Sequence, residues 1–327
     1  MADTLNFQVC YILTCDRESR YAAYTLLSIA LLRRLYPGVH VVLLTDPASK
    51  KVLESSPTGL LQAVDECVQF ATSDPDVTVR SRELKIRARE LLQGDFLQLD
   101  SDTLPVRSFD AIFESSGDLS VALDRNHICP YPHFPRWYVG TFQQLGWSCP
   151  TPRYYNSGVI FWRDTQASRE VSRLWLEAWQ QQRRVAGIPF DQLSFNHAID
   201  QLRPQVVELD IRYNALIRAS PWFGEQASIL HFHVDQFGDT LGGGDLLGAL
   251  LQDWEKTGRV NWETVDRSLR SRYSWLTPPD HLSFLLRTGH YRRGLLLLLK
   301  KLFQAARKPA MLRDYLQDKL RRKNRAR

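Results

Sequence analysis

Apolar and polar positions follow two different rhythms along the first third of the chain. Phe7 to Thr14 is rich in β-formers and stops at Cys15-Asp16. Ser19 to Leu35 carries its apolar residues at helical spacing, and Pro37-Gly38 stops it. His40 to Thr45 is an apolar run that predicts a strand covered on both faces, and Asp46-Pro47 ends it. A shorter helix and a strand at Cys67 to Phe70 are expected next. Ser81 to Leu92 has helical spacing, with Ser81 as N-cap and Gly94 as the stop. Phe96 to Leu99 then forms a short strand running directly into Asp100. This β-α-β-α order predicts an α/β fold with a mainly parallel sheet flanked by helices. Ligands in such sheets sit beyond the carboxyl ends of the strands. Thr14 to Asp16, Asp46, and Asp100 to Asp102 all fall at such ends.

The rhythm changes after residue 123. Asp124 to Arg153 holds five prolines along with Trp137, Tyr138 and Trp147, and it reads as a long loop. Val159 to Trp162 predicts a strand, Gln166 to Gln182 a helix, and Ile229 to His233 a last strand. Gly238 to Gly248 holds five glycines and reads as turn, and the pattern is helical beyond it. The expected division is a catalytic domain over 1–240 and a helical C-terminal extension with a basic tail over 241–327.

Charge is unevenly spread. Residues 287–327 hold 14 Lys or Arg against Asp314 and Asp318, a net +12, so residues 1–286 carry −6 of the chain's +6. The basic pI of about 9.1 thus comes from the tail, and the acidic body argues against nucleic acid as a partner. An apolar fraction of 44% is enough for a sizeable core. The five cysteines are odd in number and show no paired metal-binding spacing, which predicts reduced thiols in a cytoplasmic setting. No secretory signal is visible, and Leu295 to Leu299 is far short of the ~20 residues that span a bilayer. Those leucines, followed by Lys300-Lys301 and further basic residues, fit an interfacial helix on the inner, anionic membrane face. A helix docked on the catalytic domain fits them equally.

Four short stretches carry candidate chemistry. Asp100-Ser101-Asp102 sits at the mouth of a buried strand. Residues i and i+2 of an extended chain lie on one side, roughly 6.6 Å apart, and two such carboxylates suit a hard divalent ion that also takes phosphate oxygens. Asp74-Pro75-Asp76 has the same form, but its proline and lack of a leading strand read as a solvated turn. Asn156-Ser157-Gly158 precedes the Val159 strand. Asp191-Gln192 begins a helical stretch, where Asp191 also reads as an N-cap. His231 ends an apolar strand, where a buried structural imidazole is the alternative.

Taken in order, this set resembles the retaining family 8 glycosyltransferases, the group of glycogenin and the bacterial galactosyl- and glucosyltransferases of surface glycans. The resemblance covers roughly residues 7–240. It implies the GT-A nucleotide-diphospho-sugar transferase fold and transfer of a hexose, UDP-linked by family analogy, to a glycan, lipid or protein acceptor. It implies Mn²⁺ or Mg²⁺ held by Asp100, Asp102 and His231, with His233 the less favoured third ligand. Thr14, Cys15 and Asp16 border the base, and Ser101 and Gly238 go with the donor. Asn156, Asp191 and Gln192 face the transferred sugar. The family's late Lys-Pro-Trp motif is missing here, so Lys85 or Arg82 is expected to supply the cation for the diphosphate. Trp137, Tyr138 and Trp147 are expected either to stack on acceptor sugars or to pack their own loop. A sugar nucleotidyltransferase and an inactive nucleotide-sugar-binding protein are the competing readings. No Gly-rich phosphate loop follows the first strand, as the former would favour.

Overall fold

The computed structural model describes residues 7–17, 19–124, 136–149, 153–217, 224–232, 246–270, 282–287, 289 and 291–307. The chain divides into two units, Met1–Trp275 and Leu276–Arg327. In the first unit the elements run β1 (Gln8–Ile12), α1 (Arg20–Leu35), β2 (His40–Thr45), α2 (Pro47–Ser55), β3 (Glu66–Gln69), α3 (Val77–Leu91), β4 (Phe96–Leu99), β5 (Thr103–Pro105), β6 (Leu119–Leu123) and α4 (Arg136–Gln144). They continue with β7 (Tyr155–Trp162), α5 (Gln166–Ala186), α6 (Gln192–Leu202), β8 (Val206–Leu209), β9 (Ala215–Leu216), β10 (Ile229–His231), α7 (Leu246–Thr257) and α8 (Trp262–Arg270). The division falls after α8 rather than after residue 240, because α7 packs on α1. The second unit pairs α9 (Leu282–Arg287) with α10 (Tyr291–Arg307), and Gly294 lies against Leu282 and Leu286.

The main sheet has seven strands in the order β3-β2-β1-β4-β7-β6-β8. β3, β2, β1 and β4 are parallel, as the alternation of strand and helix requires. β7 then runs antiparallel to both β4 and β6, while β8 is parallel to β6. Alternate residues of the central strands enter two cores. Val9, Tyr11, Val41, Leu43, Leu97, Leu99 and Phe161 pack with Ala22, Ile29 and Leu32 of α1. Cys10, Ile12, Val42, Leu44, Phe96, Ile160 and Trp162 pack under Leu84 and Ile86 of α3 and Trp175 and Trp179 of α5. The sheet is thus covered on both sides, which is why its strands read as unbroken apolar runs.

Several boundaries differ from the sequence reading, each for a local reason. α3 starts at Val77, and its N-cap is Asp76, whose carboxylate accepts from the Thr78 and Val79 amides. Asp74-Pro75-Asp76 is therefore the start of a helix; Asp74 pairs with Arg183 at 2.6 Å. β7 extends back to Tyr155, so Asn156-Ser157-Gly158 lie within a buried strand and not before it. The stretch read as loop contains α4. The short strands β5, β8 and β9 had no distinct signature, and β6, whose apolar run ends at Asp124, was passed over. Gly248 is helical rather than a turn residue, and Gly238 and His233 lie outside the described residues.

Candidate metal and donor site

Asp100 leaves β4 and enters a tight turn. The Thr103 amide and hydroxyl both bond the Asp100 carbonyl, at 3.1 and 2.8 Å. Asp100 and Asp102 thus share a side through turn geometry and not through extended chain. From Thr103 the chain forms β5, which pairs with β10 so that His231 lies opposite Thr103. The Phe232 amide bonds the Asp102 carbonyl at 3.0 Å, closing the turn against β10. An imidazole from far down the chain is thereby delivered to the two carboxylates.

Asp100, Asp102 and His231 present ligand atoms that all lie within 4.8 Å of one another. His231 Nε2 is 3.3 Å from Asp102 Oδ1. Two ligands side by side on one ion are about 3 Å apart when each bond is about 2.1 Å, so the spacing fits one shared cation. Electrostatics agrees. Burial lowers the proton affinity of His231, but Asp102 and then Asp100 outweigh it, and the imidazole's pKa is raised. A position that draws a proton this way also draws a metal ion.

Gly158 of β7 closes one wall. A Cβ there would fall within 3.0 Å of His231 Cε1, Asn156 Oδ1 and Asp100 Oδ2. The Asp100 amide bonds the Gly158 carbonyl at 2.9 Å, extending the β4–β7 pairing into the site.

On the other side α3 supplies Lys85 and Arg82 on one face, three residues apart. Lys85 is buried, so it is no exposed helix charge; its Nζ is 2.8 Å from Asp100 Oδ1 and 3.4 Å from Asp191 Oδ2. Arg82 Nε is 3.2 Å from Asp191 Oδ1. Asp191 precedes α6, yet its side chain makes no capping bond to that helix. It accepts instead from Ser157 Oγ at 2.8 Å. Burial pushes the Asp191 carboxyl up, but Lys85, Arg82 and Ser157 hold it down more strongly, to about 2.

Thr14, Cys15 and Asp16 follow β1 and line a cleft of about 810 Å³ together with Arg82, Lys85, Asp100, Ser101 and Asp102. The Thr14 hydroxyl donates to the Val77 carbonyl, and the Cys15 amide donates to Ser49 Oγ. Asp16 pairs with Arg80, which also binds the α2 N-cap Asp46 at 3.0 Å. Burial, with Asp46 adding to it, pushes the Cys15 thiol up to about 11, so it stays protonated at neutral pH.

Asn156 and Gln192 are joined in a buried network: Asn156 Nδ2 donates to Gln192 Oε1 at 3.1 Å, and Gln192 Nε2 donates to Asp124 Oδ2 at 2.6 Å. The network reaches His231 through Asn214. Asp124 and Asn214 were not among the sequence candidates. Asp124 ends the apolar run of β6 just as Asp100 ends that of β4, a signal that could have found it; Asn214 carries none. Trp147 is buried and stacks on His197 at 4.1 Å, among Phe142, Leu145, Tyr154 and Leu193, so it packs the domain and offers no sugar platform. The side chains of Trp137 and Tyr138, like Gly238, lie outside the described residues.

No protein-family model matches the chain, and no curated protein matches its sequence. Solved structures do match its fold. One is galactosyltransferase LgtC in complex with donor and acceptor sugar analogs, at 12% identity and a TM-score of 0.51, covering 77% of this chain and 96% of that one. Another is an active-site mutant of LgtC, at 13% identity and a TM-score of 0.52, with the same coverage. The seven-stranded mixed sheet with helices on both faces is the GT-A fold that this chain shares with the LgtC galactosyltransferase.

Proposed function

We propose that the protein is a metal-dependent glycosyltransferase that moves a hexose from a nucleotide-diphosphate sugar, UDP-linked by analogy, to a glycan, lipid or protein acceptor. Membership of the retaining family 8 enzymes and retention at the anomeric carbon belong to the same proposal. The observation that carries it is the convergence of Asp100, Asp102 and His231 beside the cleft at the end of β1. The shared fold supports it, because the LgtC structure was determined with donor and acceptor sugar analogs.

Asp100, Asp102 and His231 would hold Mn²⁺ or Mg²⁺; two hard oxygens and one imidazole suit either, and the nitrogen favours Mn²⁺. When bound, such an ion offsets the negative charge that a leaving diphosphate gains. The chain's own groups do the remaining work. Thr14, Cys15 and Asp16 border the nucleotide, with Ser101 beside the diphosphate. Lys85 fixes the Asp100 carboxylate and, from the wall of the cleft, would supply the positive charge that the family takes from its missing lysine. Asp191, ionised and braced by two cations, faces the sugar together with Gln192. Asn156 supports Gln192 from behind.

The test is donor hydrolysis in Mn²⁺ with UDP-glucose, UDP-galactose and GDP-mannose. Slow release of sugar from one donor is expected, and Asp102→Asn should abolish it at limiting metal while leaving the fold intact. Wild-type turnover in Asp102→Asn would defeat the metal assignment, and pyrophosphate exchange in place of hydrolysis would identify a nucleotidyltransferase.

We also propose that α10 rests on the anionic inner face of a membrane, in keeping with a cytoplasmic location. Tyr291, Leu295, Leu298 and Leu302 form one exposed stripe, and Leu296, Leu299 and Phe303 a second beside it. Arg292, Arg293 and Lys300 are exposed on the same helix. Among the described residues no helix is long and apolar enough to cross a membrane. The full-length chain should float with vesicles containing phosphatidylglycerol, and the double variant Leu295→Asp, Leu299→Asp should not. Equal flotation of both would refute this contact.

A further inference from the structure

We infer that Asn214 is a positioning residue: it fixes the ring and the proton of His231 so that Nε2 is offered to the cation, and it ties that ligand to the residues beside the sugar. The inference rests on the metal site proposed above. Asn214 lies outside the motifs that point to the site, and it is fully buried.

The direction of each hydrogen bond here is set by a backbone amide, which can only donate. Gly158 N is 2.9 Å from one side-chain atom of Asn156, so that atom is the oxygen, Oδ1. The same Oδ1 is 2.8 Å from the Asn214 amide, which must therefore present its nitrogen. Asn214 is then left with its oxygen toward His231 Nδ1, at 2.8 Å. An oxygen there accepts, so Nδ1 carries the proton, and the ring turns Nε2 toward Asp102, at 3.3 Å. Histidine ligands are commonly oriented by such a bond from the ring's other nitrogen. A second backbone amide sets the other arm. Ser157 N donates to Gln192 Oε1 at 3.3 Å, which leaves Gln192 Nε2 to donate to the Asp124 carboxylate. Both arms meet in Asn156. The polarity of the whole relay, from Asp124 to His231, is thus written by two adjacent amides of β7. A change that displaces Asn156 would disturb the metal ligand and Gln192 together.

The test measures Mn²⁺ affinity from the electron paramagnetic resonance of free Mn²⁺. Three forms are compared: wild type, Asn214→Leu, and Asn261→Leu. Asn261 is a half-buried asparagine that bonds Asp253 of α7 and the Thr264 amide of α8, with no bond to the ligands or to the relay. Asn214→Leu should bind Mn²⁺ about 10- to 100-fold more weakly, and Asn261→Leu should match wild type. Equal affinity in Asn214→Leu and wild type would remove Asn214 from the site. An equal loss in both variants would assign the effect to general loosening and remove it as well. Wild type that takes up no Mn²⁺ would sink the metal reading itself, which is a separate result. Because Asn214→Leu could fail to fold, the Mg²⁺-loaded wild type is also read by ¹⁵N NMR. A one-bond proton coupling on His231 Nδ1, and none on Nε2, is expected. The opposite tautomer would overturn the inference without any variant.

Discussion

At position 158 a single hydrogen stands where any other residue would carry a side chain, and three site residues converge on that space. Gly158→Ala should therefore push His231 and Asp100 apart. A loss of Mn²⁺ affinity of at least about tenfold is expected, with an overpacking cost of about 1–3 kcal/mol, read by metal titration and by denaturant unfolding. Lys85 is the second sensitive position. It is buried between Asp100 and Asp191, so Lys85→Met leaves two carboxylates without their shared counter-charge. Breaking a buried pair from one side costs about 3–5 kcal/mol. The pH dependence follows from Asp191, whose carboxyl is depressed from 3.8 to about 2. A depressed acid contributes stability above its ordinary pKa and loses that contribution as pH falls toward the depressed value. The deficit of Lys85→Met should be largest at neutral pH and shrink below about pH 4; a deficit that grows in acid would contradict the pairing. Asp100 and His231 were legible because each ends an apolar run, and Asp102 because it stands two residues beyond Asp100. That Lys85 is buried was not legible, since a lysine on a helix reads the same whether it faces water or two carboxylates.

Among elements, α3 and β7 decide the site. α3 carries Arg82 and Lys85 on the face turned to the cleft, and its first turn is anchored by the Asp76 cap. Asp76→Ala should cost about 1 kcal/mol and weaken donor binding along with it, measured by chemical unfolding and by nucleotide titration. Unchanged stability would mean that Asp74 or solvent takes over the cap. β7 does its work by direction. Because it runs antiparallel to β4, with Val159 opposite Leu99, Gly158 falls beside Asp100 and Asn156 reaches back toward Asn214. A parallel strand at that place would carry the same residues away from the turn. The α/β rhythm made most of β1, α1, β2, α3, β4 and α5 readable, with errors of a few residues at their ends. The short strands β5 and β9 were not readable, since two or three residues are too few to show a period.

Across the whole molecule, negative and positive charge are segregated: the first 286 residues are net acidic and the remainder strongly basic. The acidic part includes the carboxylates of the proposed metal site, and the basic part includes the exposed leucine stripes of α10. By itself the sequence determined the α/β class, the parallel half of the sheet, the buried strand ends and the order of the candidate residues. All of these follow from local periodicity and from which side chains can leave water. Only the tertiary structure decided that β7 reverses direction, that Asp100 to Thr103 is a turn, that Asp191 faces two cations instead of capping α6, and that Asn214 orients His231. Apart from the turn, which is closed by bonds between Thr103 and Asp100, those outcomes depend on pairings between residues 17 to more than 100 positions apart. No local pattern encodes such a pairing, because it is selected by the packing of the entire sheet.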